Sequence, residues 1–462
     1  MNAIWGSAFS IHEQGAKASG MGTAYTAIAD DGSAMYYNPA GIAFQPGTHM
    51  QMDAEAVIGI FRYFPTTTPP GTTVPEKGYH GSIKPKFIPV AQMSFTKQLS
   101  PRLTFGFGLY VPFGLSANFT NFNDGDPKGT KYVGRFAGTR VALQSYWFQP
   151  TVAYKLSPNA AVAVGVAWVH THLFLEQSIL NPLDDGLEFG REAASDVFPG
   201  ADKEQAARSI ARLLPEGRSR IAGTSNTPGY SAGFMWKHPG TKTSVGLSWR
   251  SPVTHHLKGK ASFAFGKDFT LAPFLDDDIL DKAFPNQDVS GTFTTPAHYA
   301  IGIANSAFWN TTISFDFRLQ DFKRFSSVPL NFSQTEEKNP DVRTPAEERL
   351  IFDFENSYQI GAGIAKPLSE TMTVRTGYMF DRSPVVEKSV GPLFPDANRH
   401  SFTVGATKRI SNKEFTLFYE AMKFVNRTTA VPENGIKWTN GEYRNFAHVV
   451  GMGLRLVLGG SK

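Results

Sequence analysis

The sequence predicts an all-β chain: a fourteen-stranded antiparallel transmembrane β-barrel plugged by an N-terminal hatch. Three observations carry that expectation. Apolar and polar residues alternate with a period of two over most of the chain, the connections alternate between short and long, and the first 47 residues show no strand period. Composition removes several rivals. A membrane-spanning helix needs about 20 consecutive apolar residues, and the longest run, Ala160 to Val169, stops at His170. Disordered chains are charge-rich and aromatic-poor, whereas 18% of these 462 residues are charged and 13% aromatic. A formal charge of +5, from 45 basic and 40 acidic residues, is too mild to argue for nucleic acid. Without cysteine there are no disulfides or thiolate metal sites, which suits an exported protein. The start, Met1-Asn2-Ala3-Ile4-Trp5, has neither the basic nor the apolar region of a signal peptide. It reads as a cytosolic chain or as a mature form with an added Met, and Gly459 to Lys462 are expected to lie outside the fold.

The strands follow from the alternation. In 312–320, Ile313, Phe315, Phe317 and Leu319 lie on one face and Ser314, Asp316 and Arg318 on the other. One strand face therefore meets an apolar medium and the other a polar one. The same pattern recurs in 244–250, 371–381, 414–422 and 450–458. About fourteen such segments begin near residues 49, 86, 102, 140, 160, 226, 242, 294, 310, 353, 371, 399, 413 and 443. Short turns at Ser100-Pro101, Ser157-Pro158-Asn159, His238-Pro239-Gly240, Asn310, Pro367-Leu368-Ser369 and Ser411-Asn412-Lys413 alternate with long connections at 64–85, 114–139, 177–225, 266–293, 326–352, 382–398 and 426–442. Outer-membrane barrels have short periplasmic turns and long extracellular loops. An even strand number puts both termini in the periplasm. Two stacked soluble sheets would alternate as well, but the polar faces here are rich in Gly, Ser and Thr and poor in the Lys and Glu of solvated sheets.

Residues 1–47 are dense in Gly, Ala and Ser yet carry Ile4, Trp5, Phe9, Ile11, Met21, Tyr25, Tyr36, Tyr37 and Phe44. A free tail would expose all of these. A barrel this wide encloses a channel unless something fills it. The domain boundaries are therefore a hatch at 1–47 inside the lumen and a barrel at 48–458, with 177–225 and 266–293 partly helical.

Particular residues carry a family resemblance. These are Gly15-Ala16-Lys17-Ala18-Ser19-Gly20-Met21-Gly22-Thr23-Ala24, then Ala27-Ile28-Ala29-Asp30-Asp31, Tyr37-Asn38-Pro39-Ala40, Ser248-Trp249-Arg250-Ser251-Pro252 and Phe380-Asp381-Arg382-Ser383-Pro384. Together they span nearly the whole chain, which resembles the FadL/TodX (OMPP1) family of outer-membrane channels for hydrophobic compounds. The resemblance implies a monomeric fourteen-stranded barrel, an N-terminal hatch and a kinked third strand that opens a gap in the wall. It implies passive transport of long-chain fatty acids or aromatic and aliphatic hydrocarbons in an outer membrane rich in lipopolysaccharide. It also places the Asn38-Pro39-Ala40 turn beside the kink. Two departures stand out. The chain ends in Leu458-Gly459-Gly460 where such barrels usually end in an aromatic, and the fifth strand has His170 and His172 where fatty-acid transporters tend to have Arg or Lys.

The candidate sites follow. In the third strand, Val111-Pro112-Phe113-Gly114 is the candidate kink, because proline has no N–H for the ladder and is confined to edges and bulges. Alternatively, Pro112 ends the strand at the rim. A lumen pocket is expected between wall and hatch, lined by Trp5, Phe9 and Ile11 with His170 or His172 near its upper rim. Two helices are expected, Asp202 to Leu214 and Ala272 to Phe284. Their apolar residues Leu213, Leu214, Phe274, Leu275, Ile279, Leu280 and Phe284 form either an extracellular landing groove or a brace. The inward charges Arg250, Asp316, Arg318, Arg375, Asp381, Glu420 and Arg455 are expected to pair with each other and with the plug. Gly229-Tyr230-Ser231-Ala232-Gly233 matches a nucleophile elbow, but the strand–turn–helix context that motif requires is missing, so no enzyme is expected and Ser231 catalysis is the alternative. A structural or adhesive barrel is the other alternative. His170-Thr171-His172 shares a strand face without an accompanying carboxylate motif, and Asn121, Asn123, Asp124 and Asp126 miss the calcium-loop spacing. No metal and no cofactor are expected. There is no ATP-binding motif.

Overall fold

The computed structural model describes residues 8–66, 81–82, 88–118, 133–180, 190–191, 200–266, 278–391, 393–430 and 440–458. Its strands form one closed antiparallel barrel of fourteen staves. In chain order these are β1 (Thr48–Pro65), β2 (Ile88–Gln98), β3 (Leu103–Asn118), β4 (Arg140–Ser157), β5 (Ala160–Leu180), β6 (Glu216–His238), β7 (Thr243–Arg250, resumed at Val253–Ala264), β8 (Gln287–Thr295, resumed at His298–Asn305), β9 (Thr312–Gln320, resumed at Ser327–Phe332), β10 (Ser357–Ser369), β11 (Met372–Asp381), β12 (Arg399–Ile410), β13 (Lys413–Phe424) and β14 (Gly441–Leu458). Closure is made by β1 against β14, in register from Thr48↔Leu458 to Pro65↔Gly441. The seam between first and last strands thus leaves no open edge in lipid, where each unmet backbone group would cost several kcal/mol.

The alternation determines which side meets lipid. On β5, Val162, Val164, Val166 and Trp168 are exposed, while Ala161, Ala163 and Ala167 are buried. On β9, Phe315, Phe317 and Leu319 point out and Ser314, Asp316 and Arg318 are buried. Several strands run past the expected ends. β5 reaches Leu180, β6 begins at Glu216 and β8 at Gln287, so the expected loops 177–225 and 266–293 are shorter. The expected loop 326–352 contains the upper part of β9 and a hairpin strand, Glu347–Ile351, paired with it. These extensions carry polar residues on their outer faces and lack the apolar alternation that marks lipid-facing wall. Helix α1 (Lys203–Leu213), capped by the Asp202 side chain, and helix α2 (Ile279–Ala283) occupy two of the long connections.

The lumen is filled by the hatch. Among residues 8–47 only Asp30 and Pro46 are exposed. The segment is mostly turn, with short helical pieces at Ala16–Ser19, Ala34–Tyr37 and Pro39–Phe44, so many of its backbone N–H groups need acceptors from elsewhere. Inward side chains of the wall supply them. Asp316 Oδ2 accepts from the N–H of Tyr25 (2.9 Å) and Thr26 (2.8 Å), Asp53 from Ala16 (3.0 Å), Glu55 from Gly15 (3.2 Å) and Thr403 from Gly22 (3.0 Å). Glycines in the wall let the two backbones approach. A Cβ at Gly377 would lie 2.2 Å from Gly22 N, and Gly22 itself has φ +59°. Gly377→Val should therefore lift the hatch from β11 at a cost of about 1–3 kcal/mol or more. The measurable result is faster amide exchange at Tyr25 and Thr26 and influx of a hydrophilic dye, with protection of the barrel strands retained.

Candidate functional site

The wall departs from a continuous ladder at β3. Its pairing with β2 runs from Gln98↔Thr104 to Met93↔Leu109 and, among the described residues, ends there. On its other side, the register with β4 shifts between Tyr110 and Phe113. That is a β-bulge, which bends a strand, and Pro112 lies inside it. β3 then continues to Asn118, so Pro112 does not end the strand at the rim. Meanwhile β2 stays paired with β1 through Gln92↔Asp53 and Ile88↔Val57. The outward series on β1, from Met50 to Ile60, brackets these residues, so the unpaired edge of β2 lies within the apolar band.

The hatch takes the place that β2 leaves. Ser10 bridges antiparallel to Phe113. Ile11 N–H donates to Pro112 O (2.9 Å) and Gly114 N–H to Phe9 O (2.8 Å). Gln14 Nε2 donates to Val111 O at 2.8 Å. A Cβ at Gly114 would lie 2.5 Å from Ile11 Cδ1, so glycine is what admits the hatch here. Val111, Pro112, Phe113 and Gly114 thus lie together with Phe9 and Ile11.

Above this contact lies an apolar chamber. Its lining is Leu115, Val141, Leu143, Leu173, Leu175, Phe293, Phe325, Val328, Leu350, Phe352, Leu393 and Phe394, and its free volume is about 30 Å³, room for roughly one water molecule. Phe9 packs behind this lining as its floor support, with ring centroids 4.9 Å from Phe325 and 6.3 Å from Phe394 of the lining, 5.8 Å from Phe113 and 5.3 Å from Phe322. The contacts with Phe113, Phe322 and Phe325 are edge-to-face, and each such contact adds about 0.5–1.5 kcal/mol beyond burial. The connection between β11 and β12 forms the roof, with Val390, Leu393 and Phe394 buried. It is tied to the hatch where Ala8 N–H donates to Asp396 Oδ2 at 2.9 Å. Phe322, Phe325, Phe352, Leu393 and Phe394 were not among the expected pocket residues. The legible signal was an excess of phenylalanine in segments that otherwise read as solvated loops.

Other expectations are corrected. His170 and His172 do not line the lumen. They share the outward face with Trp168, and the inward residues between and around them are Val169, Thr171 and Leu173. The parity is set by small inward residues against the hatch and large ones toward lipid. His170 Nδ1 lies 2.9 Å from Asn226 Oδ1. Asn38-Pro39-Ala40 does not border the β3 kink but docks on β6 and β7. Asn38 Nδ2 donates to Thr26 O and Phe234 O, both at 2.9 Å, and a Cβ at Gly233 would lie 2.3 Å from Asn38 Oδ1. The missing side chains of Gly233 and Gly246 make that berth. Trp5, Phe274 and Leu275 lie outside the described residues, as do Asn121, Asn123, Asp124 and Asp126. Leu214 and Leu280 are buried in one cluster with Ala206 and Ile210, and Leu213, Ile279 and Phe284 pack on it, so the described apolar faces of α1 and α2 cover each other.

The inward charges divide. Asp381 pairs with Arg399 and lies 3.2 Å from His12 Nε2 of the hatch. Burial lowers the His12 pKa below its ordinary value, outweighing the attraction of Asp381. Arg455 pairs with Glu414 at 3.4 Å. Arg250, expected to pair with another charge or with the plug, reaches the plug: it stacks over Tyr36 (4.1 Å), Tyr110 (5.7 Å) and Trp147 (5.6 Å) and donates to Tyr36 O. Ser231 lies in mid-strand on β6, opposite Gly165 and Arg250, without the sharp turn an elbow needs. Among the described residues no group of His, Asp or Glu can hold a metal ion.

Comparison with known proteins agrees with this architecture. The family model described as outer membrane protein transport protein (OMPP1/FadL/TodX) matches residues 2–456. A putative outer membrane protein of Neisseria meningitidis serogroup B is 23% identical over 460 residues, covering 97% of this chain and 94% of the relative. The crystal structure of a Pseudomonas aeruginosa FadL homologue superposes with a TM-score of 0.76 at 15% identity, covering 97% of this chain and 99% of that one. The toluene transporter TbuX of Ralstonia pickettii gives 0.65 at 16%, covering 97% and 100%. With its closed barrel, its filled lumen and a family match along nearly its full length, the chain belongs to the OMPP1/FadL/TodX family of outer membrane transport proteins.

Proposed function

We propose that this chain carries hydrophobic small molecules passively across the outer membrane and releases them sideways through its wall. The observation that carries the reading is the run of β3 whose backbone pairs with Phe9 and Ile11 of the hatch in place of β2. A solute enters from the long-loop end, which faces outward, while both termini lie on the periplasmic side. It displaces Leu393, Phe394 and Phe9 to enlarge the apolar chamber. Burial in that chamber is favourable by about 25 cal/mol per Å² of apolar surface, which offsets the displaced ring contacts. Movement of Phe9 and Ile11 then frees the edge of β3. The opening faces the hydrocarbon region, so the solute never crosses the polar periplasmic end. The barrel works as a monomer, since the chamber and the break lie within one chain. Nothing in this route needs a nucleophile, a metal or a cofactor.

A chamber without a polar lining residue suits a neutral solute or the apolar tail of an amphiphile. One structural relative is a toluene transporter, which makes p-xylene and toluene reasonable first solutes. The chain has no cysteine, so a disulfide can be placed cleanly. Extending the β2–β3 register two pairs beyond Met93↔Leu109 brings Ala91 opposite Val111. In the double variant Ala91→Cys/Val111→Cys, oxidation should lower p-xylene uptake into proteoliposomes and reduction should restore it. Full uptake with the disulfide quantitatively formed would overturn lateral release.

The chamber itself is tested by Phe9→Ala. Removing the floor ring should cost about 3–5 kcal/mol of local packing, speed amide exchange at Ile11 and Gly114, and raise the rate of apolar solute leak. Ser231→Ala should leave uptake unchanged. An ester hydrolysis that vanishes in that variant would instead establish an enzyme.

A further inference from the structure

The outer wall carries a cationic patch that the transport route does not use. On β1 the lipid-facing series from Met50 to Ile60 covers about ten residue steps, roughly 25 Å at ~3.3 Å per residue and a tilt of ~40°. That matches the apolar band of such barrels. The next outward residue is Arg62. On β14 the outward series from Leu458 ends at Phe446, and the next outward residue is Arg444. Arg62 and Arg444 are direct cross-strand partners, and both are exposed. Beside them Lys423 of β13 is the partner of Phe446 and of His400 on β12. Four adjacent strands thus present Arg62 and Arg444 and, one outward position lower in register, Lys423 and His400, above the exposed aromatics Tyr419 and Phe402.

Like charges directly opposite each other destabilise a sheet. Glu442 takes Arg444 through two contacts of 2.7 Å, and the Phe64 ring, 4.9 Å away, holds that guanidinium against the wall. Among the described residues nothing takes Arg62 or Lys423. Elsewhere on the wall, between β7 and β8, Lys260 is bonded to Asp288 at 2.7 Å. On the β12–β13–β14–β1 side the charge of Arg62 and Lys423 is unbalanced among the described residues, and exposed Val404, Leu417, Val450 and Met452 continue directly below it.

We propose that this patch docks the phosphorylated head group of an outer-leaflet glycolipid. The phosphate lies between Arg62, Arg444 and Lys423, and the acyl chains cover the apolar side chains beneath. A free phosphate satisfies the charge but leaves that apolar continuation unused, which is why a lipid is the occupant. The inference rests on the proposed orientation, with the long loops outside.

The test uses the full-length protein in detergent micelles, with bis-phosphorylated lipid A as the probe and native mass spectrometry as the readout. Each cation near an anionic lipid surface contributes about 1 kcal/mol, so Arg62→Gln/Lys423→Gln should bind lipid A roughly 30-fold more weakly. Both side chains are exposed and have no partner among the described residues, so the variant keeps its fold. Dephosphorylated lipid A should bind the wild type as weakly as the variant does. Lys258→Gln, an exposed lysine on β7, should bind like the wild type. Equal binding by the double variant, equal loss in Lys258→Gln, or full competition by inorganic phosphate at the lipid's own concentration would each overturn the proposal. Uptake of p-xylene by the same double variant is measured in parallel and should not change, so loss of docking and loss of transport are told apart.

Discussion

A strand inside a bilayer has to hydrogen-bond on both sides, because lipid offers no substitute for water. Everything distinctive in this molecule follows from the place where that requirement is met unusually. Over most of the wall each stave satisfies its two neighbours. At β3 the bulge around Pro112 turns the strand away from β2, and the unmet groups are satisfied from within by Phe9, Ile11 and Gln14. The hatch is therefore both a plug and a temporary strand. Because its bonds to β3 are few and interrupted by a proline, they are the weakest part of the ladder.

The rest of the interior serves to hold that temporary strand in place. A plug made of turns cannot satisfy its own backbone, so it borrows acceptors from inward carboxylates such as Asp53, Glu55 and Asp316. Those acids are tolerable in a lumen because they are hydrogen-bonded there. Close approach requires missing side chains in the wall, which is why Gly233, Gly246 and Gly377 face the hatch. The aromatic chamber lies above this polar layer, on a floor of one hatch ring and under a roof of loop side chains. Apolar contact above and polar contact below give the lumen two distinct regions.

Much of the fold was legible because two simple periods encode it. Alternation marks the lipid-facing stretches, and loop length marks the two ends of the barrel. The hatch was legible from apolar residues in a segment without strand period. What escaped was governed by three-dimensional placement. His170 and His172 read as lumen residues because nothing local sets the parity of a strand whose inner face is alanine and glycine; the exposure of Val164 and Trp168 decides it. Asn38 was expected at the kink, yet its berth is made by glycines nearly 200 positions away. The chamber roof at Leu393 and Phe394 belongs to a segment too irregular for any period to reveal. Pro112, by contrast, was readable in advance, since a missing N–H has the same consequence in any ladder.

The bond from Ala8 to Asp396 joins residues 388 positions apart, and this has a consequence for assembly. Contacts so distant in sequence form only after the intervening chain is organised, since loop-closure entropy has to be overcome first. The acceptors for the hatch come from β1, β3, β9 and β12 together with the β11–β12 connection, so no partial barrel offers a complete seat. The hatch, which precedes every stave in the chain, is therefore the last to find its place. An unfinished barrel passes through a stage in which its lumen is open and its hatch is loose. A destabilised late strand such as β12 would consequently produce a leaky membrane before it produced an unfolded protein.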